Sequence, residues 1–361
     1  MTLIFAYGTS AELIKYSPIL SILKNNADIH IWSTSQQGAT VLSFESSYGM
    51  TGITHLSTQP DKSLDKRSQV PKWALKVSLR AFKLLRQLKK GGHSRTKLAI
   101  VVHGDTMTST LMAFIGKITK VDVIHVEAGL RSGSLRHPFP EELCRRATAY
   151  FASVHFAPNV GALMNLAKRK GTKINTRGNT AQDALLAVSR NHGNSRDEPF
   201  ALVTLHRSEF LGNLQELRAT INSLSEISTS VELTLVLDEL AMANIPADVF
   251  QEISSNPKIR MLSKLPHNDF VDHLMQASYV ITDSGGIQEE CAILGKPCLV
   301  HRKSTERMDG IGENVLLSNW DQNVVKWFAF NYDQFVREVK QPEFSPSAIV
   351  VDALKSLNYV G

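Results

Sequence analysis

Short apolar runs alternate along the chain with longer stretches in which apolar positions recur at helical spacing. Residues 3–6, 29–32, 97–102 and 121–126 predict buried strands, and residues 12–23 predict a helix after the first of them. A second series starts at residues 201–204 and continues through 233–237, 259–262, 279–282 and 298–300. Strands alternating with helices predict parallel sheets covered on both faces. Two such series fit two doubly wound α/β domains better than one barrel. The polar stretch SRNHGNSRDE, residues 189–198, is a loop by composition but lies just before a strand. The hinge is therefore expected earlier, at residues 175–179. That gives an amino-terminal domain over residues 1–175 and a second domain over residues 176–345. No internal repeat and no low-complexity tract interrupts this pattern.

Open α/β sheets bind ligands at the carboxyl ends of their strands. The unusual polar clusters lie in that place. VVHGDT, HVEAGLRSG, TLHRSEF and TDSGGIQEE each follow a predicted strand, two clusters per domain. Their convergence predicts one cleft between the domains.

In TDSGGIQEE, Ser284, Gly285 and Gly286 join a strand to a helix start. Free N–H groups there bind phosphate without side-chain cations, and glycine lets backbone approach the ligand. Glu290, one turn on, is an acceptor suited to a ribose diol. A tight turn capped by Ser284 is the alternative. The amino-terminal half supplies acids: Asp105, Glu127 and Glu141 each follow or begin an element, and Pro140 suits a helix start. Asp105 alone reads as well as a helix cap. Together the three carboxylates suit proton abstraction and return at a carbon or sugar oxygen. Arg131 and Arg145 either hold an anionic ligand or neutralise those acids. His206 and Arg207 follow the first strand of the second half, where a histidine either donates to a diphosphate or is a satisfied loop histidine. His103 and His125 read as structural hydrogen-bonding groups. No HExxH or other close ligand set is present, so no catalytic metal is expected, and the absence of GxGxxG argues against dinucleotide redox chemistry.

Composition sharpens this picture at three points. Cys144, Cys291 and Cys298 are the only cysteines of 361 residues, with no CxxC spacing, so neither a disulfide framework nor a zinc site is expected. No apolar run reaches membrane-spanning length, and the first residues do not read as a secretory signal, so a cytoplasmic protein is expected. The net charge of +6 is concentrated: residues 60–97 hold twelve Lys/Arg and two Asp, a local +10, which leaves −4 elsewhere. There Ala74, Val77, Ala81, Leu84, Leu85 and Leu88 recur at helical spacing, with Lys72, Lys76, Arg80, Lys83 and Lys90 on the other side. An anionic membrane surface or nucleic acid would fit this helix. A solvated basic face on a packed helix is the reading preferred from sequence, with no nucleic-acid partner.

The run HGDTMTST, then HVEAGLRSGSLRHPFPEELCRR, RGNTAQDAL, DSGGIQEECAILGKP and STER resembles the non-hydrolysing UDP-N-acetylglucosamine 2-epimerase family along nearly the whole chain. The resemblance implies a GT-B fold of two Rossmann-like domains facing a central cleft, with the final helix, residues 346–361, returning to the first domain. It implies inversion of carbon 2 of a UDP-2-acetamido sugar by elimination and re-addition of UDP, without a cofactor, in a homodimer feeding bacterial-type surface polysaccharide synthesis. It places Asp105, Glu127 and Glu141 on the family's catalytic acids, and Lys15, Arg145 and His206 on its ligand-holding positions, His206 near the diphosphate. It also places Ser284, Gly285 and Gly286 on the phosphate turn, Glu290 on the ribose contact, Phe270 near the uracil and Arg307 in the cleft. Where the family begins GTRPE this chain has GTSAE, so Ser10 replaces an arginine; SQQGA and LVLDELAMAN also depart, with Asp238 and Glu239 in the latter. These departures bear on a second, regulatory UDP-sugar site and on the identity of the amino sugar. A GT-B glycosyltransferase and a hydrolysing 2-epimerase are the alternatives.

Overall fold

The computed structural model describes residues 2–24, 27–47, 51–64, 67–90, 98–131, 140–189, 198–305, 307–339 and 343–360. The first apolar runs become strands β1 (Thr2–Tyr7), β2 (Asp28–Ser33), β3 (Ile53–His55), β4 (Leu98–His103), β5 (Asp122–Val126), β6 (Val154–Ala157) and β7 (Thr172–Asn175). They pair in parallel in the order β3-β2-β1-β4-β5-β6-β7. The second series becomes β8 (Phe200–Thr204), β9 (Glu232–Leu237), β10 (Ile259–Ser263), β11 (Tyr279–Thr282), β12 (Cys298–Val300) and β13 (Val315–Leu317), also parallel, in the order β10-β9-β8-β11-β12-β13. β1 and β4 are buried along their whole length, the reason their sequences are uninterrupted apolar runs rather than alternating ones.

The chain divides into two compact units, Met1–Ala184 with Glu343–Gly361, and Leu185–Pro342. Residues 175–179 lie inside the first unit, where Asn179 bonds Glu127. In each sheet the winding direction reverses once, at β1/β4 in unit 1 and at β8/β11 in unit 2. Such switch points are where open α/β sheets bind ligands, because the loops leaving the two strands diverge there.

A buried carboxylate organises the first switch point. Thr9 caps the helix Ser10–Leu23 by accepting from the Glu12 N–H, and Glu12 returns the bond to the Thr9 N–H at 3.0 Å, a capping box. Glu12 is only 3 % exposed and also accepts from the Thr106 hydroxyl at 2.6 Å and the Ser109 hydroxyl at 3.1 Å. Burial pushes its pKa up while these hydrogen bonds oppose the shift. One side chain thus ties the helix start after β1 to the helix start after β4.

The chain end returns to unit 1. In the helix Pro346–Ser356, Val350, Val351 and Leu354 enter the cluster that holds Leu13, Tyr16 and Ile19. The Ser347 N–H donates to Asp183 at 2.7 Å, and the Tyr359 hydroxyl to Asp122 at 2.7 Å. The basic segment forms the helix Val70–Lys90, which buries Trp73, Val77, Ala81 and Leu85 and leaves Lys72, Lys76, Arg80, Lys83 and Lys90 exposed.

Candidate functional site

In unit 1 the sequence-predicted acids stand at the carboxyl ends of β4 and β5. Gly104 follows β4 with φ +62°, a left-handed turn that a side chain would strain, and delivers Asp105. Asp105 is not a helix cap. Thr106 takes that place for the helix Met107–Thr119, accepting from the Ser109 N–H at 3.0 Å. Asp105 is instead ion-paired to Arg145. Glu127 follows β5 directly and holds φ +59° as a non-glycine residue. Backbone strain of this kind persists where the surroundings fix the residue, and here they do. Glu127 is 8 % exposed and accepts from Lys15 Nζ at 2.5 Å and from Asn179 Nδ2 at 2.8 Å. Its Oε1 lies 4.0 Å from where a Cβ on Gly104 would sit, so the two strand ends bring Glu127 beside the Asp105 turn.

Glu141 opens the helix Glu141–Phe151 behind Pro140, and its buried Oε2 has no hydrogen-bond partner among the described residues. Burial raises the thiol pKa of Cys144, one turn on, and the charges of Asp105 and Glu141 raise it further. Glu142, fully buried, holds Arg146 at 2.7 Å, Arg145 at 3.8 Å and Arg131 at 3.9 Å. Arg145 therefore stands between the buried Glu142 and the more open Asp105. Residues 132–139, part of the HVEAGLRSGSLRHPFPEE run, lie outside the described residues.

Two buried histidines back this wall. His103 and His125 are fully buried, and loss of hydration pushes each pKa down to about 3. His125 Nε2 donates to the Gly104 carbonyl at 2.8 Å, and His103 Nε2 sits 3.3 Å from the Thr180 hydroxyl and 3.8 Å from Glu127.

In unit 2 the two loops of the switch point are joined by Asp283, which the sequence reading did not single out. Asp283 is fully buried and its Oδ2 accepts from the His206 and Arg207 N–H groups, both at 2.8 Å. Its Oδ1 lies 3.4 Å from His206 Nδ1. Burial raises the Asp283 pKa, and His206 opposes that rise. An aspartate at a strand end is common; only the fold reveals that this one orients His206.

Ser284 stands at the N-cap of the helix Gly285–Leu294 with no capping bond from its side chain. The turn-capped-by-serine alternative is therefore not what forms. Gly286 has no positive φ, is exposed, and a Cβ there would meet only Ser284 Oγ, at 3.7 Å. Nothing inside the protein demands a glycine at 286.

Gln288, also unassigned from sequence, is buried and donates to the carbonyls of Arg307 and Asp309, each at 3.1 Å, while the Thr305 hydroxyl donates to its Oε1 at 2.9 Å. This ties Thr305, Arg307 and Asp309 to the helix Gly285–Leu294, where Arg307 pairs with Glu289. Glu290 is half-buried on the same helix. Phe270, on the helix His267–Gln276, leans on the cluster containing Val271 and Leu274. Asp238 is a helix cap, accepting from the Ala241 N–H at 2.8 Å. The structure thus gathers Lys15, Asp105, Glu127, Glu141 and Arg145 in unit 1. It gathers His206, Ser284, Gly285 and Gly286 at the switch point of unit 2, with Glu290 and Arg307 along the helix that follows.

The sequence model of the UDP-N-acetylglucosamine 2-epimerase family matches residues 26–340. A UDP-N-acetylglucosamine 2-epimerase of Methanocaldococcus jannaschii is 30 % identical over 352 residues, covering 90 % of this chain and 91 % of its own. One of Bacillus subtilis is 30 % identical over 328 residues, covering 86 % and 81 %. The solved structure of the M. jannaschii enzyme superposes with a TM-score of 0.78 at 25 % identity, covering 99 % of this chain and all of that one. A plant glycosyltransferase from Phytolacca americana, solved with UDP-2-fluoroglucose, shares only the fold, with a TM-score of 0.55 at 10 % identity and 99 % of each chain covered.

Proposed function

The chain belongs to the UDP-N-acetylglucosamine 2-epimerase family, and we propose that it inverts carbon 2 of UDP-N-acetylglucosamine to give UDP-N-acetylmannosamine. The M. jannaschii enzyme has been solved in complex with UDP-GlcNAc and UDP, with a TM-score of 0.74 to this chain. In the proposed reaction a base takes the proton from carbon 2 and the bond from carbon 1 to the diphosphate oxygen breaks, UDP leaving with that electron pair. The resulting 2-acetamidoglucal accepts a proton on the opposite face of carbon 2, and the UDP oxygen re-forms the bond to carbon 1. Electrons balance without an outside oxidant.

Unit 2 is assigned the nucleotide: the open helix start at Ser284–Gly286 and His206 the diphosphate, Glu290 the ribose, Phe270 the uracil. Unit 1 is assigned the proton chemistry, by Asp105, Glu127 and Glu141. Lys15, Arg145 and Arg307 are the cations for the anionic substrate, each with its head fixed by an acid. The observation that supports this best is the acid set itself. Three carboxylates, two of them held by cations, serve proton transfer, whereas a glycosyltransferase on the same fold needs only the donor site.

The test is turnover of UDP-N-acetylglucosamine in deuterated water followed by proton NMR. A carboxylic acid exchanges its proton with solvent between turnovers, so UDP-N-acetylmannosamine carrying deuterium at carbon 2 is expected. Unlabelled product would contradict the elimination, and free sugar with UDP would make the enzyme hydrolysing.

The phosphate turn gives a second expected result. Gly286→Ala fills space that only a ligand uses, so UDP affinity falls by about 5- to 150-fold, the cost of overpacking by roughly 1–3 kcal/mol. Stability in the same variant stays level or rises by about 0.5–1 kcal/mol, because alanine is the better helix residue. Calorimetry with UDP and a denaturation curve read the two opposite effects.

A further inference from the structure

We propose that the helix Val70–Lys90 docks on an anionic lipid bilayer, lying flat on it through Leu75 and Leu79. This helix has 21 residues, with seven Lys/Arg and no Asp or Glu. Its core-facing side is already used by Trp73, Val77, Ala81 and Leu85. On the opposite side Leu75 is 61 % exposed and Leu79 is 63 % exposed. They are four residues apart and so neighbours on one helix face. Lys72, Lys76, Arg80 and Lys83 surround them, all exposed. Among the described residues none of these four cations has an ion-pair partner; Lys76 reaches only the Thr58 hydroxyl, at 3.3 Å.

A merely solvated face would need no leucines at its centre, and a nucleic-acid backbone gains nothing from them. A bilayer takes both kinds of side chain, leucine at the boundary of headgroups and acyl chains, lysine and arginine at the lipid phosphates. On the flank of the same helix a cavity of about 400 Å³ is lined by Phe82, Leu85, Arg86, Lys89 and Thr119, again apolar walls with two cations. The seven cations of the helix, with no acid on it to offset them, orient this side towards a negative surface. No helix among the described residues is long and apolar enough to cross a membrane, so the contact is interfacial.

The test is cosedimentation of the full chain with vesicles of equal parts phosphatidylcholine and phosphatidylglycerol, against pure phosphatidylcholine. Binding to the mixed vesicles alone, weakened by salt, is expected. K76Q/R80Q/K83Q should weaken it about 100-fold, at about fivefold per cation. L75Q/L79Q leaves the charge unchanged and should weaken it about tenfold or more, with turnover in solution and the circular dichroism spectrum unaltered. Failure of the wild type to bind anionic vesicles, or full binding by L75Q/L79Q, overturns the proposal. Tighter binding to an RNA oligomer than to vesicles, equal in wild type and L75Q/L79Q, overturns it too and assigns the face to nucleic acid.

Discussion

Asp105→Asn is expected to lower turnover by about 10²–10⁴-fold, the usual contribution of a general acid or base, while UDP affinity stays close to that of the wild type. The substitution keeps the size of the side chain but removes its charge and one of its two acceptor oxygens, and with them its ability to carry a proton and its ion pair with Arg145. Collapse of the surroundings does not explain the loss in advance. The Asp105 backbone is placed by the left-handed Gly104 turn, and Arg145 keeps the buried Glu142 carboxylate at 3.8 Å when Asp105 is neutral. The melting temperature should therefore move little. Glu142→Gln is the informative contrast: Glu142 holds Arg131, Arg145 and Arg146 at zero exposure, so that change strikes stability as well as rate. An asparagine at 105 that turns over normally would remove Asp105 from the acid set.

The strands at the two switch points were legible because they are wholly buried. β1, β4, β8 and β11 are covered on both faces, so each shows as a continuous apolar run bounded by polar residues. β3, β6, β7 and β13 did not show. β3, β7 and β13 sit at sheet edges and are only partly buried, so that polar positions such as Thr172 and Lys173 are tolerated, and His155 interrupts the apolar run of β6. The same contrast runs through the site. Glycines, strand-end acids and a strand-end histidine are visible from position alone. Glu12, Asp283 and Gln288 are not, because their work is to satisfy groups distant in sequence: Thr106 and Ser109, His206 and Arg207, Arg307 and Asp309. A buried polar group whose partners come from another loop carries no local pattern. Arg145 is intermediate, since its position suggested either a ligand or an acid, and only the fold shows it on Asp105.

Acidification from pH 7 to pH 5 is expected to cost unit 1 about 4 kcal/mol of stability through His103 and His125, about 2 kcal/mol each. Burial pushes both pKa values down to about 3, whereas the unfolded chain protonates its histidines near 6.5. Between those values the unfolded state binds more protons than the native one, so stability is complete above about pH 6.5 and is lost as the pH falls towards 3. Glu12 acts in the opposite sense. Its raised pKa makes the native state take up a proton first, so it returns part of the loss at the acid end. The histidine share is isolated by His125→Gln, because the glutamine amide nitrogen reaches about as far as Nε2 and can still donate to the Gly104 carbonyl that His125 Nε2 reaches at 2.8 Å, but has no proton to gain. His125 Nδ1 is buried without a hydrogen-bond partner among the described residues, which is why a second proton there is so costly. Urea denaturation at a series of pH values should show a shallower slope for His125→Gln, by about one proton between pH 4 and 6. Equal slopes for variant and wild type would mean that His125 is hydrated or already charged in the native protein.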